Sequence, residues 1–172
     1  MFRFITSGDR RLMHRANNWF APRWIRWWML GATRAGDGWL WYGLGLVILI
    51  FGGHERFSAV IATALAAIGS IAAFQGLKRI TGRRRPCEVE RHCWATLLPP
   101  DQFSFPSGHT MTAFACATAI AFFYPATAPA LFFFAFSIAV SRIVLGMHFL
   151  SDVVAGALVG ALLGWAACQP FV

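Results

Sequence analysis

The sequence predicts an all-α protein: a polytopic membrane helix bundle of about five transmembrane helices, preceded by an N-terminal interfacial amphipathic helix. Three observations lead there. The 172 residues are 58% hydrophobic and only 13% charged, with mean hydropathy +0.57, whereas a soluble domain carries about 25% charged residues. The apolar residues gather in five blocks, most of them near the ~20 residues that a span needs. Gly and Ala recur inside the blocks, as in "AGALVGALLGWAA", which suits close helix packing in lipid. An open sheet would leave its backbone unsatisfied in a bilayer, so each block reads as a helix.

The elements follow in order. The start, "MFRFITSGDRRLMHR", is basic but lacks the apolar core and small-residue site of a secretory signal. In "NNWFAPRWIRWWMLGATR" five Trp or Phe residues mix with three Arg. Arg23 and Arg26 make a poor span, and aromatics with Arg at helical spacing suit a helix in the headgroup layer. The first apolar block runs from near Gly38 to Gly53 and is short. The second runs from Phe57 to Leu77, and the third from "PSGH" to Phe123. The fourth runs from about Ala128 to Leu145 and the fifth from Asp152 to Cys168. Two units are expected: a basic and aromatic interfacial segment, 1–37, and a membrane domain, 38–172.

The net charge of +8 would suit nucleic acid on a soluble face, but this chain offers no such face. The cations fall in the N-terminal segment, in the loop after the second block, and at Arg142. If each block spans once, these lie on one side of the membrane. The other side receives His54, Glu55, Arg56, "YPATAP" and "QPFV". An anionic lipid headgroup is the matching partner. No nucleic-acid partner and no obligate protein partner is expected.

Three clusters on the basic side carry chemistry. In "KRITGRRRP", Lys78 to Pro86, cations snorkelling from a helix end are the bland reading. However, six basic residues from Lys78 through Arg91 exceed what anchoring needs, and Arg and Lys suit phosphate oxygens. In "FPSGHT", Ser107 is a good N-cap, and Gly108 would let a ligand approach the backbone. The free N–H groups of a helix start make an anion site. The cap reading leaves His109 unexplained. In "SRIVLGMHFLSD", Arg142 sits where an unpaired charge is costly. Asp152 follows His148 by four positions, which places both on one helical face. A carboxylate so placed fixes a tautomer and raises basicity; the bland alternative makes Asp152 a plain N-cap.

Together these supply three cations, a helix N-terminus, an Asp-backed His and a second His. That set fits phosphoryl transfer. No carboxylate cluster for magnesium and no close His/Cys set for zinc is visible, so neither a metal nor another cofactor is expected.

The three motifs resemble those of the type-2 phosphatidic acid phosphatase superfamily, membrane lipid phosphatases related to vanadium haloperoxidases. The family pattern is Lys, six residues, Arg-Pro; then Pro-Ser-Gly-His; then Ser-Arg, five residues, His, three residues, Asp. All are complete and in order here, and the resemblance runs from about Gly36 to the last helix. It implies that Lys78, Arg85 and Arg142 hold phosphate oxygens, with Ser107 and the Gly108 N–H completing the pocket. It implies that His148 attacks phosphorus to give a phosphohistidine, oriented by Asp152, while His109 protonates the leaving group and then activates water. Arg79, Arg83 and Arg84 fall outside the motif positions, and the sequence leaves a second phosphate or the membrane surface open to them.

The implied substrate is a lipid phosphate monoester or diphosphate, of the undecaprenyl diphosphate, phosphatidic acid, phosphatidylglycerophosphate or lipid A type. A lipid phosphotransferase, a haloperoxidase and a non-catalytic membrane scaffold are the rival readings. The implied location is the cytoplasmic (inner) membrane. For sidedness, the positive-inside rule places the site in the cytoplasm, whereas the resemblance favours an extracytoplasmic site. Cys87 and Cys93 could bridge in one loop, which would require an oxidising compartment; two free thiols remain the alternative. The extracytoplasmic side is the expectation carried forward.

Overall fold

The computed structural model describes residues 2–19, 21–86 and 102–172. The expectations that fall on Arg91, Cys87 and Cys93 lie outside these residues. Among the described residues the regular structure is helical: α1 (Phe2–Asn17), α2 (Arg23–Ala35), α3 (Trp39–Phe51), α4 (Arg56–Thr81), α5 (Gly108–Phe123), α6 (Ala128–Val144) and α7 (Leu150–Cys168). One isolated bridge joins Arg84 to Phe103.

Among the described residues, three segments are long and apolar enough to cross a membrane by length and composition: Gly53–Thr81, Pro125–Val144 and Leu150–Phe171. The other two apolar helices are shorter. α3 has 13 residues and α5 has 16, so they rise about 20 and 24 Å against a hydrocarbon core of ~30 Å. Large apolar side chains such as Leu46, Ile61, Ile68, Phe136, Leu158 and Leu162 stand exposed on the outside of the bundle.

Two helices, rather than one, precede Gly36. The aromatic segment becomes helical only at Arg23, behind Pro22 at the N-cap position, because Pro lacks the N–H that a helix interior needs. α1 is an addition to the sequence expectation. Its Asp9 and Met13 are buried, although most of its described residues are polar.

α5 is the axial helix, with ten buried residues, among them Met111, Ala115, Ala119 and Ile120. α7 lies against it through Gly156, Gly160 and Gly164. A Cβ on each would overlap the carbonyl oxygen of Ser107, Met111 and Ala115 in turn. Glycine at every fourth position therefore lets the two backbones touch, the close approach that small residues allow between helices in lipid.

This pairing fixes which loops share an end. At one end the Ser107 N–H donates to the Asp152 carbonyl (3.1 Å), and the Thr81 hydroxyl donates to the Phe105 carbonyl (3.1 Å). The three motif segments thus converge there. At the other end the Tyr124 hydroxyl donates to the Gly52 carbonyl (2.9 Å).

Replacing Gly160 by Val should force α5 and α7 apart. Overpacking of this kind costs roughly 1–3 kcal/mol, so we expect a lower midpoint of unfolding in mixed detergent micelles. Leu158→Val, on the exposed face of the same helix, should be nearly neutral. An unchanged midpoint for Gly160→Val would contradict the close contact.

Candidate active site

Lys78 lies in the last turn of α4, which ends where Gly82 takes a left-handed conformation (φ 55°) and its N–H donates to the Lys78 carbonyl. The turn folds residues 83–86 back over the helix end. Arg85 is thereby 1% exposed and Lys78 7%. The Arg85 Nη1 donates to the Met147 carbonyl (3.1 Å) and lies 3.4 Å from His148 Nε2. The Lys78 Nζ sits 5.2 Å above the Phe74 ring.

Ser107 occupies the N-cap position of α5, but its hydroxyl makes no capping bond. It pairs instead with Thr110 Oγ1 (2.9 Å). Gly108 is tight against protein as well: a Cβ there would press on the Phe74 ring at 3.1 Å. The space beside Gly108 that the sequence suggests for a ligand is filled on that side by Phe74. His109 reaches the turn between α2 and α3, where its Nε2 lies 2.7 Å from Asp37 Oδ1.

Arg142 lies in the last turn of α6 and is 3% exposed, with Nη1 donating to the Thr33 hydroxyl of α2. Gly146 (φ 68°) breaks the chain after α6. The N–H groups of Met147 and His148 then both return to the Arg142 carbonyl (3.0 Å). This hook buries His148 beside Arg85.

His148 Nδ1 lies 2.6 Å from the Ser104 carbonyl. A carbonyl only accepts, so Nδ1 carries the proton and the lone pair of the neutral ring is at Nε2. Asp152 stands 3.6 Å from Nδ1, beyond hydrogen-bond length. Its carboxylate takes the Phe149 N–H (2.9 Å) and Arg83 Nη1 (2.7 Å). The direct orienting contact on His148 is thus a main-chain carbonyl, and Asp152 fastens the start of α7 while facing the ring. Burial first, then the charges of Arg142, Arg85 and Lys78, hold the His148 pKa well below its ordinary value.

The structure therefore gathers Lys78, Arg85, Ser107, Gly108, Arg142, His148 and Asp152 at one end of the bundle, largely buried, with His109 at their edge. Sequence reasoning missed several contacts around them. Arg83 turns inward and joins Asp152 to Asp9 of α1 (2.7 Å). Asp9 also accepts from the Ser151 hydroxyl (2.6 Å). Thr33 holds Arg142, and Asp37 holds His109. Another is the Ser104 carbonyl at His148, which no side-chain pattern could have revealed.

The fold and site define a bundle of apolar helices with buried cations around a buried imidazole at one end. A family model described as the PAP2 superfamily matches residues 55–171, and the chain belongs to that superfamily, as the three motifs implied. It is similar to a lipid A 1-phosphatase of Porphyromonas gingivalis, 46% identical over 65 residues. That match covers 36% of this chain and 15% of the relative's length. Among solved structures, Aquifex aeolicus LpxE superposes with TM-score 0.77 at 28% identity, covering 92% of this chain and 93% of that one. A PAP2 type phosphatidylglycerolphosphate phosphatase from Bacillus subtilis superposes with TM-score 0.74, covering 97% and 85%. At 23% identity that likeness is one of fold.

A lowered pKa means that the neutral ring persists as pH falls through the ordinary His value of about 6.5. Imidazole ¹⁵N shifts, assigned with a His148→Asn variant, should therefore show His148 uncharged well below pH 6.5. A midpoint at or above 6.5 would contradict the burial and the cationic surroundings.

Proposed function

We propose that this protein is a membrane-embedded, metal-independent lipid phosphatase that works through a phosphohistidine on His148. The observation that carries the reading is the state of that ring. Its Nδ1–H is committed to the Ser104 carbonyl, so a lone pair is presented at Nε2 beside Arg85. A neutral imidazole next to buried cations suits attack on a phosphate whose negative charge those cations hold.

The roles then follow. Lys78, Arg85 and Arg142 bind the phosphoryl oxygens, with the Ser107 hydroxyl and the Gly108 N–H at the start of α5. His148 Nε2 attacks phosphorus. Asp152 stabilises the charge that grows on the imidazole. His109 protonates the leaving oxygen and then takes a proton from water as it releases phosphate. In-line displacement needs charge stabilisation on the equatorial oxygens, and the Lys and Arg side chains supply it in place of a metal.

The substrate class is a lipid phosphate monoester or diphosphate. The likeness to a protein named lipid A 1-phosphatase supports it. The exposed apolar flanks of the bundle support a setting in the inner membrane. There α3 to α7 cross the bilayer, residues 1–37 lie at the interface, and the site opens on the extracytoplasmic side.

Purified protein in detergent should release phosphate from at least one of undecaprenyl diphosphate, phosphatidic acid, phosphatidylglycerophosphate and lipid A, with EDTA present throughout. His148→Ala should abolish release while the protein keeps its helical spectrum. Loss of activity in EDTA, restored by one divalent ion, would refute the metal-free mechanism. Transfer to an added alcohol with no free phosphate would favour a phosphotransferase.

A further inference from the structure

We propose that Asp37 is a positioning residue for His109: it fixes which ring nitrogen faces the leaving group and supports the proton that His109 delivers. The inference rests on the reading of His109 as the general acid.

Asp37 sits in the turn between α2 and α3, outside the residues that the family model matches, so no motif marks it. The turn is built to a fixed shape. The Asp37 N–H donates to the Arg34 carbonyl (3.0 Å), and the Trp41 N–H returns to the Gly38 carbonyl (3.0 Å). Gly38 has φ 112°, a conformation that side-chain-bearing residues avoid. On the other side of Asp37, a Cβ on Gly36 would stand 3.0 Å from the His109 ring and 3.0 Å from Ile138. Glycine at position 36 therefore lets the turn come close to the imidazole, and the Asp37 carboxylate meets its Nε2.

The contact has consequences for the ring. Asp37 Oδ1 lies 2.7 Å from Nε2, and a carboxylate only accepts, so Nε2 carries a proton. Nδ1 makes no hydrogen bond to a described residue and is the nitrogen left for the substrate. Both residues also line a cavity of about 280 Å³ that continues past Phe74 and Ile71 to Ala67 on α4, which leaves room for a leaving group on the His109 side. An exposed ion pair by itself contributes little to stability, and the Asp37 side chain is 55% exposed. Its value lies in orientation and proton affinity, as for a carboxylate behind a catalytic imidazole.

In the first step the phosphorus–oxygen bond breaks and its electron pair stays on the leaving oxygen. That oxygen takes the proton from His109 Nδ1, and the ring keeps Nε2–H on Asp37. In the second step Nδ1 removes a proton from water as the water oxygen bonds to phosphorus. The P–N bond to His148 breaks, and its electrons return to Nε2.

The test is leaving-group dependence of kcat/KM in detergent, which reports steps up to phosphoenzyme formation. The substrates are an alkyl ester, short-chain phosphatidic acid, and an aryl ester, p-nitrophenyl phosphate, whose leaving group needs no proton. General acid catalysis contributes about 10²–10⁴-fold, so His109→Ala should lose about that on the alkyl ester and under about tenfold on the aryl ester. Asp37→Asn should show the same selectivity at smaller size, about 10–100-fold against under about threefold, with Asp37→Glu recovering part of the loss. Equal losses on both esters, or none, for Asp37→Asn beside a selective His109→Ala would overturn the role of Asp37. An unselective His109→Ala would remove the general-acid reading and this inference with it. The aryl arm controls for folding, since a misfolded variant loses both.

Discussion

The direct backbone contact between α5 and α7 determines most of what this protein can do. Three glycines at intervals of four on α7 remove the side chains that would keep the helices apart. The start of α5 is thereby set against the start of α7, and the Ser107 N–H reaches the Asp152 carbonyl. Two motifs separated in sequence become one surface. A site on such a crossing is positioned by close packing of the two helices. The start of α5 falls at that same end, with its first N–H groups turned to it.

This end of the bundle carries an electrostatic demand. Lys78, Arg85 and Arg142 are buried within it, and buried like charges repel strongly where water is scarce. The Met147 carbonyl at Arg85 and the Thr33 hydroxyl at Arg142 offset part of this. The same cations, with burial, hold the His148 pKa well below its ordinary value, which favours the neutral ring that the proposed mechanism uses.

Much of this was legible in the sequence, and the reason is spacing. The Lys-to-Arg interval, "PSGH", and the His148–Asp152 interval are local patterns, and each motif residue falls at the same end of the bundle. The apolar blocks correspond to helices at nearly the expected bounds, although α3 stops early at Gly52 and neither it nor α5 reaches full span length. What sequence could not show are partners distant along the chain. Asp37 is 72 residues from His109, and Asp9 is 142 from Ser151. Nor does a main-chain carbonyl have a sequence signature, so spacing alone assigns to Asp152 the contact that the Ser104 carbonyl makes. Arg83, left open between a phosphate and the membrane, is drawn inward by two carboxylates that lie far from it in sequence. These contacts also show the N-terminal helices to be part of the site: α1 reaches Asp152 through Arg83, and α2 reaches Arg142 through Thr33.

The central claim is that His148 Nε2 becomes covalently bonded to phosphorus. Rapid acid-free quenching of purified protein mixed with ³²P-labelled lipid phosphate, followed by alkaline digestion and mass spectrometry, tests it most directly. The account requires a base-stable, acid-labile label on the peptide containing His148, formed faster than phosphate release and absent from His148→Ala. Turnover with no label on that peptide, or with the label on His109, would contradict it.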